Sequence, residues 1–437
     1  MSESHPMHAQ AIPLLVLTLA STALACASGG AALPGVQPAE TAKVDARLED
    51  DHADYKTVDW PHWRGANRDG VSPERSWLSQ GASEALWTAQ VGLGYSSPSI
   101  QAGRLFTRGY FPGEGEGSEG IDATQCIDSE TGEIIWSRET PAKIWDNMHG
   151  GGTLTTPTLD GDAVYVLSRF GGLEALDAGD GSVRWERKLD TELEVGLGPF
   201  GFCSSPVVDG DVLYVNVGKT VALDKRTGET KWETRDYGPS YATPEMFTAG
   251  DKALLAVFNA EGLAVLDRKS GTQVALHPWT SQYNVNSASP IVVDGKIFIS
   301  TGYNDIGCAM LELKGDKLEP AWTNKSMNNY MNGCVLVDGR LYGFDRKLLR
   351  CMDLSGEVLW TERGLGRGTV IASDGRLIVL SEEGELLVAP ASADGFEPVS
   401  RERVIEEGAC WSTPVLSGGR IYCRSSAGVL VCRDHRP

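Results

Sequence analysis

CIDSETGEIIW (Cys126 to Trp136), ALDAGDGSVRW (Ala175 to Trp185) and ALDKRTGETKW (Ala222 to Trp232) are three copies of one pattern. Weaker copies follow as VLDRKSGTQVA from Val265, LELKGDKLEPAW from Leu311 and CMDLSGEVLW from Cys351, with a degraded one around Asp394-Gly395. The turn glycines fall at 132, 181, 228, 271, 315, 356 and 395, so the period is 49, 47, 43, 44, 41 and 39 residues. A period in this range is that of a four-stranded propeller blade.

A second phrase precedes each copy: an apolar strand that opens in Ser/Thr-Pro and ends in a Gly turn. It stands at Ser97-Pro98, Thr156-Pro157, Ser205-Pro206, Thr243-Pro244, Ser289-Pro290 and Thr413-Pro414. Two further openings, Gly333-Cys334 and Gly368-Thr369, lack the proline, and eight openings imply eight blades. Pairs such as Asp209-Gly210 and Asp338-Gly339 supply the positive-φ positions of tight hairpins. In Asp224-Lys225-Arg226-Thr227-Gly228 the glycine closes a turn and bulge. The Trp four residues on, at 136, 185, 232 and 360, then falls on the outermost strand, where an indole covers the gap to the neighbouring blade.

The predicted fold is therefore all-β, an eight-bladed β-propeller of four-stranded antiparallel blades over residues 60–437. The chain stops at Pro437 before the last blade has a fourth strand, while EALWTAQV, with Trp87, lies unmatched upstream. The N-terminal strand should complete that blade and close the ring without an open edge.

Composition agrees. Of 437 residues, 51 are glycine, an excess that suits many tight turns, and 41% are hydrophobic. Lys and Arg number 39 against 59 Asp and Glu, a net charge of −20, which argues against nucleic acid as a partner.

Residues 1–25 read as a signal peptide: the apolar run IPLLVLTLASTALAC is too short to span a bilayer and ends at the A-x-A site Ala23-Leu24-Ala25. Cys26 offers an alternative, lipidation of a bacterial lipoprotein, with a lipid anchor as the sole tie to the membrane. The missing basic residues of the first ten positions, and Ala23 where a lipobox usually has Leu, leave the choice open. Residues 26–59, rich in Gly, Ala, Pro and acidic residues, read as a flexible linker. The expected location is the periplasm or the outer membrane.

The repeats resemble the PQQ-like β-propeller repeat family, whose pattern is Ala/Cys-x-Asp-x-x-Thr-Gly-x-x-x-Trp. That family includes quinoprotein alcohol dehydrogenases and the non-catalytic outer-membrane assembly lipoprotein BamB. The resemblance runs from about Trp60 to Asp434, and the entry segment DWPHWRGANRDGVSP (Asp59 to Pro73) looks like the start of a group of exported bacterial propellers. It implies either a binding or scaffolding module or, as the alternative, a PQQ-dependent dehydrogenase holding PQQ with Ca²⁺ and oxidising an alcohol or sugar.

Chemistry-bearing motifs weigh against the alternative. No two cysteines are adjacent, whereas the family's enzymes typically hold a vicinal disulfide against the quinone, and there is no Cys-x-x-Cys-His haem site. No histidine pair has the spacing of a helix-borne zinc site, and no Gly-x-Ser-x-Gly elbow or P-loop occurs. No catalytic residue, metal site or cofactor is expected. Cys126, Cys351 and Cys432 fill a repeat slot held elsewhere by Ala or Val and are expected as small buried hydrophobes. Cys203, Cys308, Cys334, Cys410 and Cys423 have no repeat explanation, and a Cys410 to Cys423 disulfide stays open.

Loops that join an outer strand to the next inner strand ring one mouth of the channel. Residues two or three before each opening should line it: Tyr95, Thr155, Cys203, Tyr241, Ser287, Met331 and Trp411. Asn284, Asn286, Asn328, Asn329 and Tyr330 add polar groups. Two insertions, Arg108 to Gly120 and Thr140 to Leu154, fall on the same side, the second carrying Trp145, Asp146, Asn147 and His149. The candidate contact residues are thus Tyr95, Trp145, Asn147, His149, Tyr241, Asn286, Tyr330 and Trp411. Aromatic rings interleaved with amides suit another envelope protein or a polar ligand.

Overall fold

The computed structural model describes residues 58–437 apart from 83, 115–118 and 146–148. Signal peptide, Cys26 and the linker up to residue 57 lie outside the described residues. The ring has eight sheets, and each of the first seven blades is built from consecutive strands. Blade 1 uses Ser99–Gln101, Arg104–Phe111, Gly120–Asp128 and Ile134–Ala142; blade 7 uses Thr369–Ser373, Arg376–Leu380, Glu385–Pro390 and Ser400–Arg403. Blade 8 takes Val415–Ser417, Arg420–Arg424 and Val429–Asp434 from the C-terminus and Ala85–Gln90 from the N-terminus as its outermost strand. Trp87 pairs with Cys432 there, so the chain ends are zipped together as the sequence predicts.

The repeated phrase has two physical jobs. Asp128 Oδ1 accepts the backbone N–H groups of Glu130 and Thr131, each at 2.9 Å, and Gly132 closes the turn at φ 76°. The register then slips by one residue between Cys126 and Ile127, a bulge that aims the following Trp outward. That Trp reaches the next blade. Trp136 lies on Gly181, Trp185 on Gly228 and Trp232 on Gly271, so close that a Cβ on each glycine would stand 2.6, 2.8 and 2.4 Å from the indole. Each indole also donates to a carbonyl of the same turn: Trp136 Nε1 to Ala178 O at 3.1 Å, Trp185 Nε1 to Lys225 O at 3.0 Å and Trp232 Nε1 to Arg268 O at 3.1 Å. Trp87 does the same across the closure, with Nε1 donating to Ser129 O at 3.2 Å and its ring on Gly132. The signature is thus a blade-to-blade lock, and its glycine is required by positive φ and by the indole together.

The innermost strands run from the Ser/Thr-Pro face, here the upper face, down to the Asp-Gly turns. Into the channel they enclose, residues 58–75 insert from below. Trp60 pairs with Ile100 in blade 1 through two 2.8 Å hydrogen bonds, and Pro61 O accepts Leu159 N of blade 2 at 2.8 Å. After a turn at Trp63 to Gly65 the segment descends, with Val71 and Ser72 forming a short parallel strand beside Ala372 and Ser373 that gives blade 7 a fifth, innermost strand. Arg68 Nη2 donates to Val208 O of blade 3 at 2.9 Å, and Arg64 Nη2 to Cys334 O of blade 6 at 2.6 Å. Glu74, at the exit, accepts the N–H groups of Gly418 and Gly419 of blade 8. Val58 and Asp59 are already bonded, to Ser417 Oγ at 2.8 Å and Ala102 N at 3.0 Å. Val58 and Asp59 fall in the expected linker and residues 60–75 in the expected propeller; together they form a plug, because their partners lie on the inner strands and hairpin turns of the ring.

Candidate functional site

Above the plug lies a cavity at the upper mouth, about 130 Å³ in volume. Trp63, at the top of the plug, belongs to its lining, and its Nε1 donates to Ser289 Oγ of blade 5 at 3.4 Å. The channel is therefore closed below the mouth and the cavity is blind.

The upper loops supply the walls because each begins within two or three residues of an inner strand. Tyr95, Cys203, Tyr241, Ser287, Met331 and Trp411 of the predicted ring line the cavity. Thr155 does not; its Oγ1 donates to Leu167 O and Leu154 takes its place at the wall. His149 enters from the second insertion. Its ring stacks on Phe200 at 5.5 Å and meets Trp411 edge-on at 5.3 Å, while Trp411 stacks on Tyr95 at 5.4 Å and Phe200 meets Tyr241 at 5.8 Å. A continuous run of five rings, Tyr95, Trp411, His149, Phe200 and Tyr241, thus forms one wall. Phe200 was missed in the sequence because it lies outside the window before Ser205-Pro206.

The other candidates sit elsewhere. Asn286 is buried and held by structure: its Nδ2 donates to Asn259 O at 2.7 Å and Trp279 O at 2.9 Å, and its Oδ1 accepts Thr301 Oγ1 at 2.5 Å. Expecting it at the mouth was mistaken, because an amide in that loop has backbone groups to satisfy before any ligand. Asn328 and Asn329 are likewise engaged, with Asp345 Oδ1 at 2.9 Å and Phe344 O at 3.0 Å. Trp145 packs on Phe170, and its carbonyl accepts Arg169 Nη1 at 2.6 Å, so it braces the wall from behind. Tyr330 stands behind Tyr303, ring to ring at 5.0 Å, and Arg367 lies 5.1 Å over its face. Asn147 lies outside the described residues.

Trp411 is fixed from two sides. Its Nε1 donates to Glu382 Oε1 at 3.1 Å and its carbonyl accepts Asn332 Nδ2 at 2.9 Å. Burial pushes the Cys203 thiol and the Tyr303 hydroxyl each up to about 12, so both are neutral across ordinary pH. The eight described cysteines are free thiols, Cys410 and Cys423 included.

Residues 122–355, within this ring, match the family model described as outer membrane protein assembly factor BamB. The chain belongs to that family. No curated protein matches it in sequence. Among solved structures, BamB from Moraxella catarrhalis is 18% identical, with 80% of this chain and 98% of that chain covered and a TM-score of 0.54. The quinohemoprotein alcohol dehydrogenase from Comamonas testosteroni is 12% identical, with 86% and 80% covered and a TM-score of 0.59. The computationally designed Ika8 protein is 10% identical, with 84% and 99% covered and a TM-score of 0.53. At these identities the likeness to the solved structures is one of fold.

The mouth can be asked whether it would hold a quinone and its cation. Ca²⁺ takes six to eight oxygens, carboxylates prominent among them. The lining here contains no Asp or Glu among the described residues; its polar side chains are hydroxyls, Asn332, His149 and Arg169. No group of three or more His, Cys, Asp or Glu side chains is placed to hold a metal ion among the described residues. The aromatic rings lie against one another, Tyr95 on Trp411 and His149 on Phe200, and leave no slot between them for a third flat ring. This donor set does not fit the pair.

Proposed function

We propose that this protein is an exported, non-catalytic binding module of the cell envelope whose contact face is the blind upper mouth. The observation that carries the reading is the lining itself: a run of aromatic rings over a floor of Trp63, with no carboxylate among the described residues. Aromatic side chains supply contact area at low entropic cost, which suits recognition, and His149, stacked on Phe200 and edge-on to Trp411, is part of that wall. Membership of the BamB family supports protein binding in the envelope. Export is read from the apolar run ending at Ala23-Leu24-Ala25, and Cys26 is the acylation site if the protein is anchored. Intact mass of the membrane fraction separates the lipidated from the soluble form.

The test is capture of partners from an envelope extract by the wild-type protein and by His149→Ala/Trp411→Ala. The double variant keeps the plug and the blade locks, so the fold should persist by circular dichroism. The double variant should lose the specific partners. An unchanged partner profile contradicts the reading.

A further inference from the structure

We propose that the mouth cavity binds an aromatic ring carrying a carboxylate. The inference rests on the reading of the mouth as a binding site and adds the chemistry of what it takes.

Size sets the first bound. The cavity volume is about 130 Å³. An apolar protein cavity of about 150 Å³ admits benzene. The site therefore takes one ring at depth, and Trp63 stops anything longer. The wall of five rings offers edges and faces that suit a further aromatic group better than an aliphatic one.

Charge sets the second. The chain as a whole carries −20, yet the lining holds Arg169 and no carboxylate among the described residues. Next to the lining, the Arg367 guanidinium lies 5.8 Å from the ring of Trp411, a wall residue, and 5.1 Å from the Tyr330 ring, and its Nε is buried without a hydrogen-bond partner. Glu382 spends both carboxylate oxygens on other donors: Oε1 accepts Trp411 Nε1, and Oε2 accepts the backbone N–H of Arg367 at 3.0 Å. A planar guanidinium held over aromatic rings and in no ion pair among the described residues is suited to receive a carboxylate from a ligand. The ring would sit toward Trp63 and the carboxylate at Arg367.

Phenylacetate is the probe, titrated into the full-length protein by calorimetry, with phenylacetamide as its neutral isostere and cyclohexylacetate as its non-aromatic one. Phenylacetate should bind at least about tenfold more tightly than either. Arg367→Gln should remove that preference over the amide and leave phenylacetamide unchanged. Equal binding of phenylacetate and phenylacetamide to the wild type, or no binding of phenylacetate at millimolar concentration, overturns the proposal without recourse to any variant. A tripeptide ending in Phe, as free acid and as amide, identifies the source: tighter binding of the peptide acid than of phenylacetate points to a polypeptide terminus, and equal binding to a free aromatic acid. Failure here with continued loss of partners in His149→Ala/Trp411→Ala would leave the binding function standing and reject only this ligand chemistry.

Discussion

Arg64 and Cys334, 270 residues apart in sequence, are joined inside the ring by a 2.6 Å hydrogen bond from Nη2 to the carbonyl oxygen. The same nitrogen reaches Asp69 O at 2.8 Å, and the side chain is fully buried. One guanidinium therefore holds the turn of the plug and ties it to blade 6. Replacing it with alanine leaves the buried Cys334 carbonyl and the partly buried Asp69 carbonyl without their donor and loosens the floor of the mouth. Arg64→Ala should cost about 2–4 kcal/mol in urea unfolding, with Arg64→Lys intermediate because an ammonium lacks the fork. Unaltered stability would show that the plug is not part of the cooperative fold.

The blade lock is tested by a matched pair of glycines. Gly181 has φ 75° and would place a Cβ 2.6 Å from Trp136, whereas Gly161 has φ 62° and nothing within 4 Å. Gly161→Ala should cost only the backbone penalty, about 1 kcal/mol. Gly181→Ala adds displacement of the indole and should cost about 2–4 kcal/mol in the same assay. Equal losses would mean that the Trp stacks there without contributing.

Acid–base behaviour of the plug has a defined sign. Glu245, on the inner strand of blade 4, is pushed up to about 8, first by burial; Arg64 and Arg68 pull it down and Asp69 pushes it further up. An acid that keeps its proton longer in the fold than in the unfolded chain lowers stability as pH rises from about 4.5, its ordinary value, to about 8. His62 on the plug works the other way: burial, then Arg68, lowers it to about 3, so stability gained there rises with pH up to its ordinary 6.5. The difference between wild type and Glu245→Gln isolates the carboxyl. The variant should gain about 2 kcal/mol relative to wild type between pH 5 and 8 in chemical unfolding. A difference that does not change with pH would place Glu245 in water.

How much of this was legible in the sequence differs by element. The repeat spacing carried blade number, strand order and ring closure, because each blade packs on its neighbours through its own Trp and Gly. The same regularity placed Tyr95, Tyr241 and Trp411 at the mouth, since a fixed offset from Ser/Thr-Pro is a fixed height in the ring. The plug has no period. Its residues meet partners hundreds of positions away, Trp63 with Ser289 and Arg64 with Cys334, and such pairings leave no mark on a single sequence. Asn286 misled for a related reason: an Asn in a loop looks the same whether it faces a ligand or satisfies Asn259 O. Phe200 reached the wall through the shape of its loop, Leu197 to Gly201, which no offset encodes.

The most direct test of a non-catalytic mouth is addition of PQQ and Ca²⁺ to the purified protein. Quinone absorbance is followed on the protein after desalting, and dye reduction with a panel of alcohols and sugars. With no carboxylate in the described lining and its rings stacked on one another, the protein should retain no quinone and reduce no dye. Stoichiometric quinone retention together with alcohol-dependent dye reduction would contradict the account.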